Sequence, residues 1–318
     1  MCMKTLKDVG EHNAIKALTA NLKAVGDDCA VLPLDANYDL VLTTDPLISG
    51  VHFTPGTDPG QIGWKAAARV LSDFAAMGAD PQYILINLVA PPEQDFQTLE
   101  KIYAGVSRIR ELFGVDLVGG DLAQGPTLEL HVFGVGRVPK GKALLRSGAR
   151  PGDVIYVTGP LGGSFESGKH LTFMPRIKEA KWLRQSGVVR SMMDISDGLA
   201  TDLRHILKAS KVGAALDSAA IPCGVLVGTD GPAVRPSSEL RAGGRLGEAS
   251  LPLEKALFDG EDFELLFTVR AEDADAFDFQ CLEDLDRQFS RIGTITDQPE
   301  VLTIDGAVLD RKAFEHFK

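Results

Sequence analysis

Aspartates interrupt the apolar stretches of this chain at six places: Gly26-Asp27-Asp28, Thr43-Thr44-Asp45, Ser72-Asp73, Gly119-Gly120-Asp121, Asp194-Ile195-Ser196-Asp197 and Gly260-Glu261-Asp262. Carboxylates in such settings are costly to bury unless something cationic pairs with them. A fold that lets several converge builds a cage of hard oxygen ligands. Such a cage suits Mg²⁺, which usually bridges to substrate phosphates.

The stretches between these patches alternate between the two regular periods. Residues 11–24, 58–78 and 95–113 have helical spacing. Asp58 is placed to cap the second helix, and Trp64, Ala67, Ala68, Leu71 and Ala75 share one face of it. Gly114 closes the third. Strands are expected over 28–34, 38–44, 83–89, 116–118 and 128–136. A segment rich in Lys, Arg, Gly and Pro over 137–152 then marks a domain boundary, dividing the chain into 1–138 and 139–318. Beyond it, strands are expected over 154–158, 265–269, 290–296 and 301–304. Helices are expected near 165–170 and over 197–209. Residues 228–250 read as a surface excursion. The class is therefore mixed α/β.

A net charge of −11 argues against a nucleic-acid partner, because phosphate contacts need clustered Lys and Arg. An acidic protein that handles phosphates needs metal ions to reverse the local field. The cysteines Cys2, Cys29, Cys223 and Cys281 are scattered with no CxxC, so they read as reduced thiols rather than a Zn site. The opening Met-Cys-Met-Lys-Thr-Leu-Lys lacks the apolar core of a signal peptide. No apolar run reaches the roughly 18 residues of a membrane span. A cytoplasmic protein without a membrane partner is expected.

Each patch has a plainer alternative. Gly26-Asp27-Asp28 alone reads as an Asp-rich turn. Thr43-Thr44-Asp45, at the end of an apolar strand, offers several oxygen ligands at once. Ser72-Asp73 interrupts an apolar helix, where Asp is a poor helix former, so function leads there. Gly119-Gly120-Asp121 reads equally as a turn or as a backbone that lets a phosphate approach closely. Ser196 or Asp197 can cap the helix that follows, and free amides at that terminus suit an anion. Glu261, Asp262 and Glu264 can fix a cationic or hydrogen-bonding group, or merely protect an edge strand. GxxxxGK[ST], GxGxxG, GxSxG and HExxH are all absent, and the six histidines do not cluster.

Taken in order, the patches resemble thiamine-monophosphate kinase. The stretches that carry the resemblance are Gly26 to Leu32, Thr43-Thr44-Asp45 with Gly50-Val51-His52-Phe53, and Leu71-Ser72-Asp73-Phe74-Ala75-Ala76-Met77-Gly78-Ala79-Asp80-Pro81. Gly119-Gly120-Asp121, Asp194-Ile195-Ser196-Asp197-Gly198-Leu199 and Gly260-Glu261-Asp262-Phe263-Glu264-Leu265 continue it. His170, Pro175-Arg176 and Phe314-Glu315-His316-Phe317 also fit. The resemblance implies a two-domain fold of the aminoimidazole ribonucleotide synthetase type, its N-terminal strands forming a β-barrel across a homodimer. It implies Mg²⁺ ions held by Asp27, Thr43, Thr44, Asp45, Asp73, Asp121, Asp194 and Asp197. ATP, the co-substrate, would contact Tyr103, Gly120, Asp121, Arg146 and Ser196, while thiamine monophosphate would contact His52, Glu261 and Phe314. The reaction would be in-line phosphoryl transfer giving thiamine diphosphate, with Asp73, Asp121 and Arg146 at its centre. Leu122 departs from the Thr usual in the family, and Asp259 from Gly. The alternatives are another ATP-dependent enzyme of the superfamily and a nucleotide-binding module without catalysis.

Overall fold

The computed structural model describes residues 5–22, 25–224 and 250–310. Cys2, Phe314 and all of the 228–250 excursion except Ser250 lie outside them. Two short helices come first, α1 (Leu6–Val9) and α2 (Glu11–Leu18). α2 stops short of the 11–24 helix that the spacing predicts. Thr19 turns its hydroxyl onto the Ile15 carbonyl, and Ile15 and Leu18 are exposed, so no packing extends the helix.

The first sheet is built from β1 (Ala30–Pro33), β2 (Tyr38–Ile48), β3 (Asp80–Ala90), β4 (Asp116–Gln124) and β5 (Glu129–Pro139). Its order is β1-β2-β5-β3-β4, antiparallel throughout except for the parallel β3/β4 pair. Two helices cover it, α3 (Pro59–Ala76) and α4 (Phe96–Phe113). Asp58 and Asp95 cap them by accepting from the amides of Gln61 and Thr98, and Gly114 ends α4 in a left-handed conformation. α3 is buried nearly all round rather than on one face. One side lies on the first sheet, where Val70 and Phe74 occupy the space that side chains at Gly134 and Gly136 would need. A second side crosses α4, and a third meets the other half of the chain.

That half contains a second sheet of seven strands: β6 (Val154–Val157), β7 (Val189–Asp194), β8 (Gly213–Leu216), β9 (Leu265–Val269), β10 (Ser290–Thr296), β11 (Leu302–Ile304) and β12 (Ala307–Val308). Their order is β12-β11-β8-β10-β6-β9-β7. Its helices are α5 (Ser164–Ser167), α6 (Ile177–Ser186), α7 (Leu199–Ser210), α8 (Ser250–Phe258) and α9 (Ala274–Leu285). A cluster of buried side chains joins Ala75 of α3 to Tyr156, Leu183, Phe267 and Phe277, so the two halves share apolar contact.

Three sequence expectations change here. Thr43-Thr44-Asp45 does not end β2, because β5 pairs with that strand as far as Ile48. Gly119-Gly120 is not a turn, since both residues continue β4 alongside Leu85 and Ile86. Glu261 to Glu264 do not protect an edge: β9 begins at Leu265, is buried throughout and lies between β6 and β7.

Candidate active site

α3 carries four polar residues on one stripe, Lys65, Arg69, Ser72 and Asp73, at i, i+4, i+7 and i+8. Because the helix is otherwise apolar and buried, each of these groups must find a partner. Ser72 donates to Asp194 at the end of β7, 2.6 Å away. Thr43 of β2 donates to Asp73 at 2.5 Å. Arg69 reaches Asp45, 2.8 Å away on the same face of β2 as Thr43. Thr44 lies on the opposite face and is exposed.

Beside this stripe stands the Asp27-Asp28 turn. Arg146 donates its backbone amide to Asp27 at 2.7 Å and its guanidinium to Asp28 at 2.6 Å. The carboxylates of the cluster suppress one another. Burial, reinforced by Asp194 and Asp45, pushes Asp73 well above the usual range. Burial and Asp28 raise Asp194 to about 7, against the hydrogen bond from Ser72. Burial raises Asp45 despite Arg69, with Glu261 and Asp197 adding to the effect, so those two acids border the same space.

The loop after Asp194 corrects an expectation. Neither Ser196 nor Asp197 caps α7; the N-cap is Gly198, with no side-chain bond. Asp202, one turn into the helix and fully buried, instead accepts from the amides of Ser196 and Asp197, each at 3.0 Å. Those two amides are therefore engaged internally and not free for an anion.

A second wall forms around Lys65. Its ammonium donates to the His52 carbonyl at 2.6 Å and the His170 Nδ1 at 2.7 Å. It also reaches both Glu261 oxygens, at 2.9 and 2.7 Å. Burial lowers Lys65 to about 8, which still leaves it charged at neutral pH. Glu261 falls to about 2, because its contacts with His170 and Lys65 outweigh its burial. Glu261 and Phe263 both hold positive φ, 64° and 51°, a conformation costly for residues with a Cβ. The neighbouring contacts sustain it. Phe263 stacks on Phe173 with ring centroids 4.0 Å apart, and the Glu261 and Phe263 amides bond the carbonyls of Ser196 and Ile195. Asp262 and Glu264 are spent on structure, accepting from Ser164 and Gly162 and from Arg176 and Thr158 respectively.

Tyr103, Gly120 and Asp121 line a separate concavity of about 560 Å³ against exposed β4. Asp121 accepts from the Leu122 amide, and no contact among the described residues joins it to the buried cluster. Nor do any three His, Cys, Asp or Glu side chains among the described residues stand close enough together to hold one ion. Lys65, Arg69 and Asp202 are the groups that motif reading passes over. The helical spacing of Lys65 and Arg69 relative to Ser72-Asp73 is the signal that could have found the first two.

The chain matches the family described as AIR synthase related protein, its N-terminal domain over residues 26–138 and its C-terminal domain over 150–305. It is 37% identical to the thiamine-monophosphate kinase of Escherichia coli strain K12, covering 92% of this chain and 91% of that one. It is 33% identical to the enzyme of that name from Synechococcus elongatus, over 100% and 99% of the two lengths. Among solved structures it superposes on AaThiL complexed with AMPPCP and TMP at a TM-score of 0.82, with 29% identity over 99% of this chain and 100% of that one. The thiamine-monophosphate kinase of Stenotrophomonas maltophilia superposes at 0.73, with 33% identity over 93% and 96%. On this similarity, extending across both halves of the fold, the chain belongs to the thiamine-monophosphate kinase family.

Proposed function

We propose that the chain transfers the γ-phosphoryl group of ATP to the phosphate of thiamine monophosphate, giving thiamine diphosphate and ADP. One observation carries the reading at this site: Asp73 and Asp194 are crowded among like charges and, among the described residues, accept hydrogen bonds only from the hydroxyls of Thr43 and Ser72. Such a set is incomplete without a hard cation. Asp27, Thr43, Asp45, Asp73, Asp194 and Asp197 fit Mg²⁺ as oxygen donors, whereas Thr44 faces away from them. Their loose spacing suits an ion that keeps several waters and takes the rest of its ligands from substrate phosphates. When bound, Mg²⁺ supplies neutralisation of the phosphate charges.

The acceptor is itself a phosphate oxygen, ionised at neutral pH, so the chain needs no general base. Its residues position and compensate charge. Arg146, braced by Asp28, takes the ATP phosphates together with the hydroxyl of Ser196, whose amide is held by Asp202. His52 and Glu261 form the thiamine monophosphate wall. Tyr103 from α4, with Gly120 and Asp121 from β4, completes nucleotide binding. That strand is a free sheet edge with Val118 and Leu122 exposed, which supports a homodimer whose first sheets close into a barrel across the interface. Domains divide at 138/139, at the C-terminal end of β5 and just before the link to β6. The site of action is the cytoplasm; among the described residues no helix is long and apolar enough to cross a membrane.

The test is ADP release from Mg·ATP with and without thiamine monophosphate, with chromatography of the thiamine products. Thiamine diphosphate formed in step with ADP is the expected result. Tight Mg·ATP binding without that product would overturn the substrate assignment in favour of another superfamily reaction.

A further inference from the structure

We infer that Lys65 is a positioning residue for the thiamine monophosphate wall: its ammonium binds Glu261, His170 and the His52 carbonyl into one unit and holds His170 as the Nε2–H tautomer. The inference rests on the substrate reading above. The side chain of Lys65 is completely buried, while Glu261 keeps 21% of its own exposed. The lysine therefore cannot itself meet a substrate, and the glutamate can.

The donor count is closed. An ammonium has three hydrogens, and three acceptors surround this one: the His52 carbonyl, the His170 Nδ1 and the Glu261 carboxylate. Each comes from a different part of the chain, 13, 105 and 196 residues away from Lys65. Phe53, Phe173 and Phe263, from the same three segments, share one buried apolar cluster, and Lys65 supplies the polar link among them. The His170 Nδ1 stands 2.7 Å from the Lys65 ammonium and 3.0 Å from Glu261 Oε2; an ammonium cannot accept, so the shorter contact requires a lone pair on Nδ1 and places the ring proton on Nε2. Phe165, half exposed, stacks on the imidazole at 4.5 Å and fixes its plane.

Two consequences follow for recognition. Lys65 neutralises Glu261, so the wall offers hydrogen-bond acceptors rather than a bare negative charge. A carboxylate has about four acceptor positions, and the third ammonium hydrogen is shared between its two oxygens, leaving the remainder to a donor group on the substrate. Glu261 also holds a positive φ, so without the ammonium its side chain has little reason to keep this direction.

The experiment compares Lys65→Met, Glu261→Gln and the double variant in steady-state turnover, with KM measured for each substrate. Met fills a similar volume without the charge. Expected are a KM for thiamine monophosphate raised about tenfold or more, a KM for ATP within about twofold of wild type, and a double variant little worse than Glu261→Gln alone. Equal effects on both substrates, or strictly additive losses, would overturn the inference and leave Lys65 a core residue. Nitrogen-15 spectra of the imidazoles, with His170 assigned through His170→Gln, supply a readout independent of turnover. An unprotonated Nδ1 in wild type that is lost in Lys65→Met supports the inference, and a protonated Nδ1 in wild type overturns it. If wild type turns over no thiamine monophosphate, the substrate reading fails, while the spectra still decide the role of Lys65.

Discussion

Asp73 is a carboxylate whose only described donor is the Thr43 hydroxyl, in a cluster where burial and its neighbours oppose its charge. Asp73→Asn keeps an acceptor for Thr43 and removes one like charge. Turnover is expected to fall about 100-fold or more, while the Tm of the metal-free protein holds or rises because repulsion is relieved. Turnover near wild type in this variant would sink the metal-cage reading. Glu261 allows a pH prediction. Its folded value of about 2 lies below the ordinary 4.5, so its contribution to stability is complete above 4.5 and is lost as pH falls toward 2. The difference in unfolding free energy between wild type and Glu261→Gln, measured by denaturant titration, should therefore narrow on acidification through that window.

Among the elements, α3 decides most. It crosses α4 so closely that a Cβ on Gly63 would stand 1.8 Å from the Ile102 carbonyl oxygen, and one on Gly105 would stand 2.0 Å from that of Gly60. Both obstacles are backbone and cannot swing aside. Gly63→Ala is expected to cost about 2 kcal/mol or more in urea unfolding. It should also weaken turnover, because the same helix carries Lys65, Arg69 and Asp73. Gly120 is constrained in the same way in β4, where an added Cβ would lie 1.9 Å from the Ile86 carbonyl oxygen. The glycine expected from sequence to admit a phosphate is thus required first by strand pairing.

For the whole molecule, the proposed site falls into two parts. The buried cluster between the halves collects Asp27, Asp45, Asp73, Asp194, Arg146 and Glu261, whereas Tyr103, Gly120 and Asp121 sit at the edge of the first sheet. A second copy pairing on β4 would account for the exposed Val118 and Leu122 there, 55% and 65% accessible. Val118→Asp with Leu122→Asp is expected to halve the mass seen by light scattering. An unchanged mass would place the interface elsewhere.

The sequence by itself determined the elements with strong periodicity. α3 and α4 start at capping aspartates 58 and 95, and β10 spans the residues its pattern predicts. It also marked Asp45, Asp73 and Asp194 as carboxylates in need of a common solution, whereas Asp121, grouped with them, stands apart on β4. Weakly patterned elements were illegible. β7 (Val-Arg-Ser-Met-Met-Asp) and β8 (Gly-Ala-Ala-Leu) lack alternation and strand-forming residues, and are strands because the neighbouring strands pair with them. Only the tertiary structure decided who partners whom: that Asp202 takes the loop amides, and that Lys65 ties together residues 13, 105 and 196 positions away. The physical reason is distance along the chain. Local spacing encodes the face a side chain occupies, whereas charge compensation in a buried site depends on which faces the fold brings together.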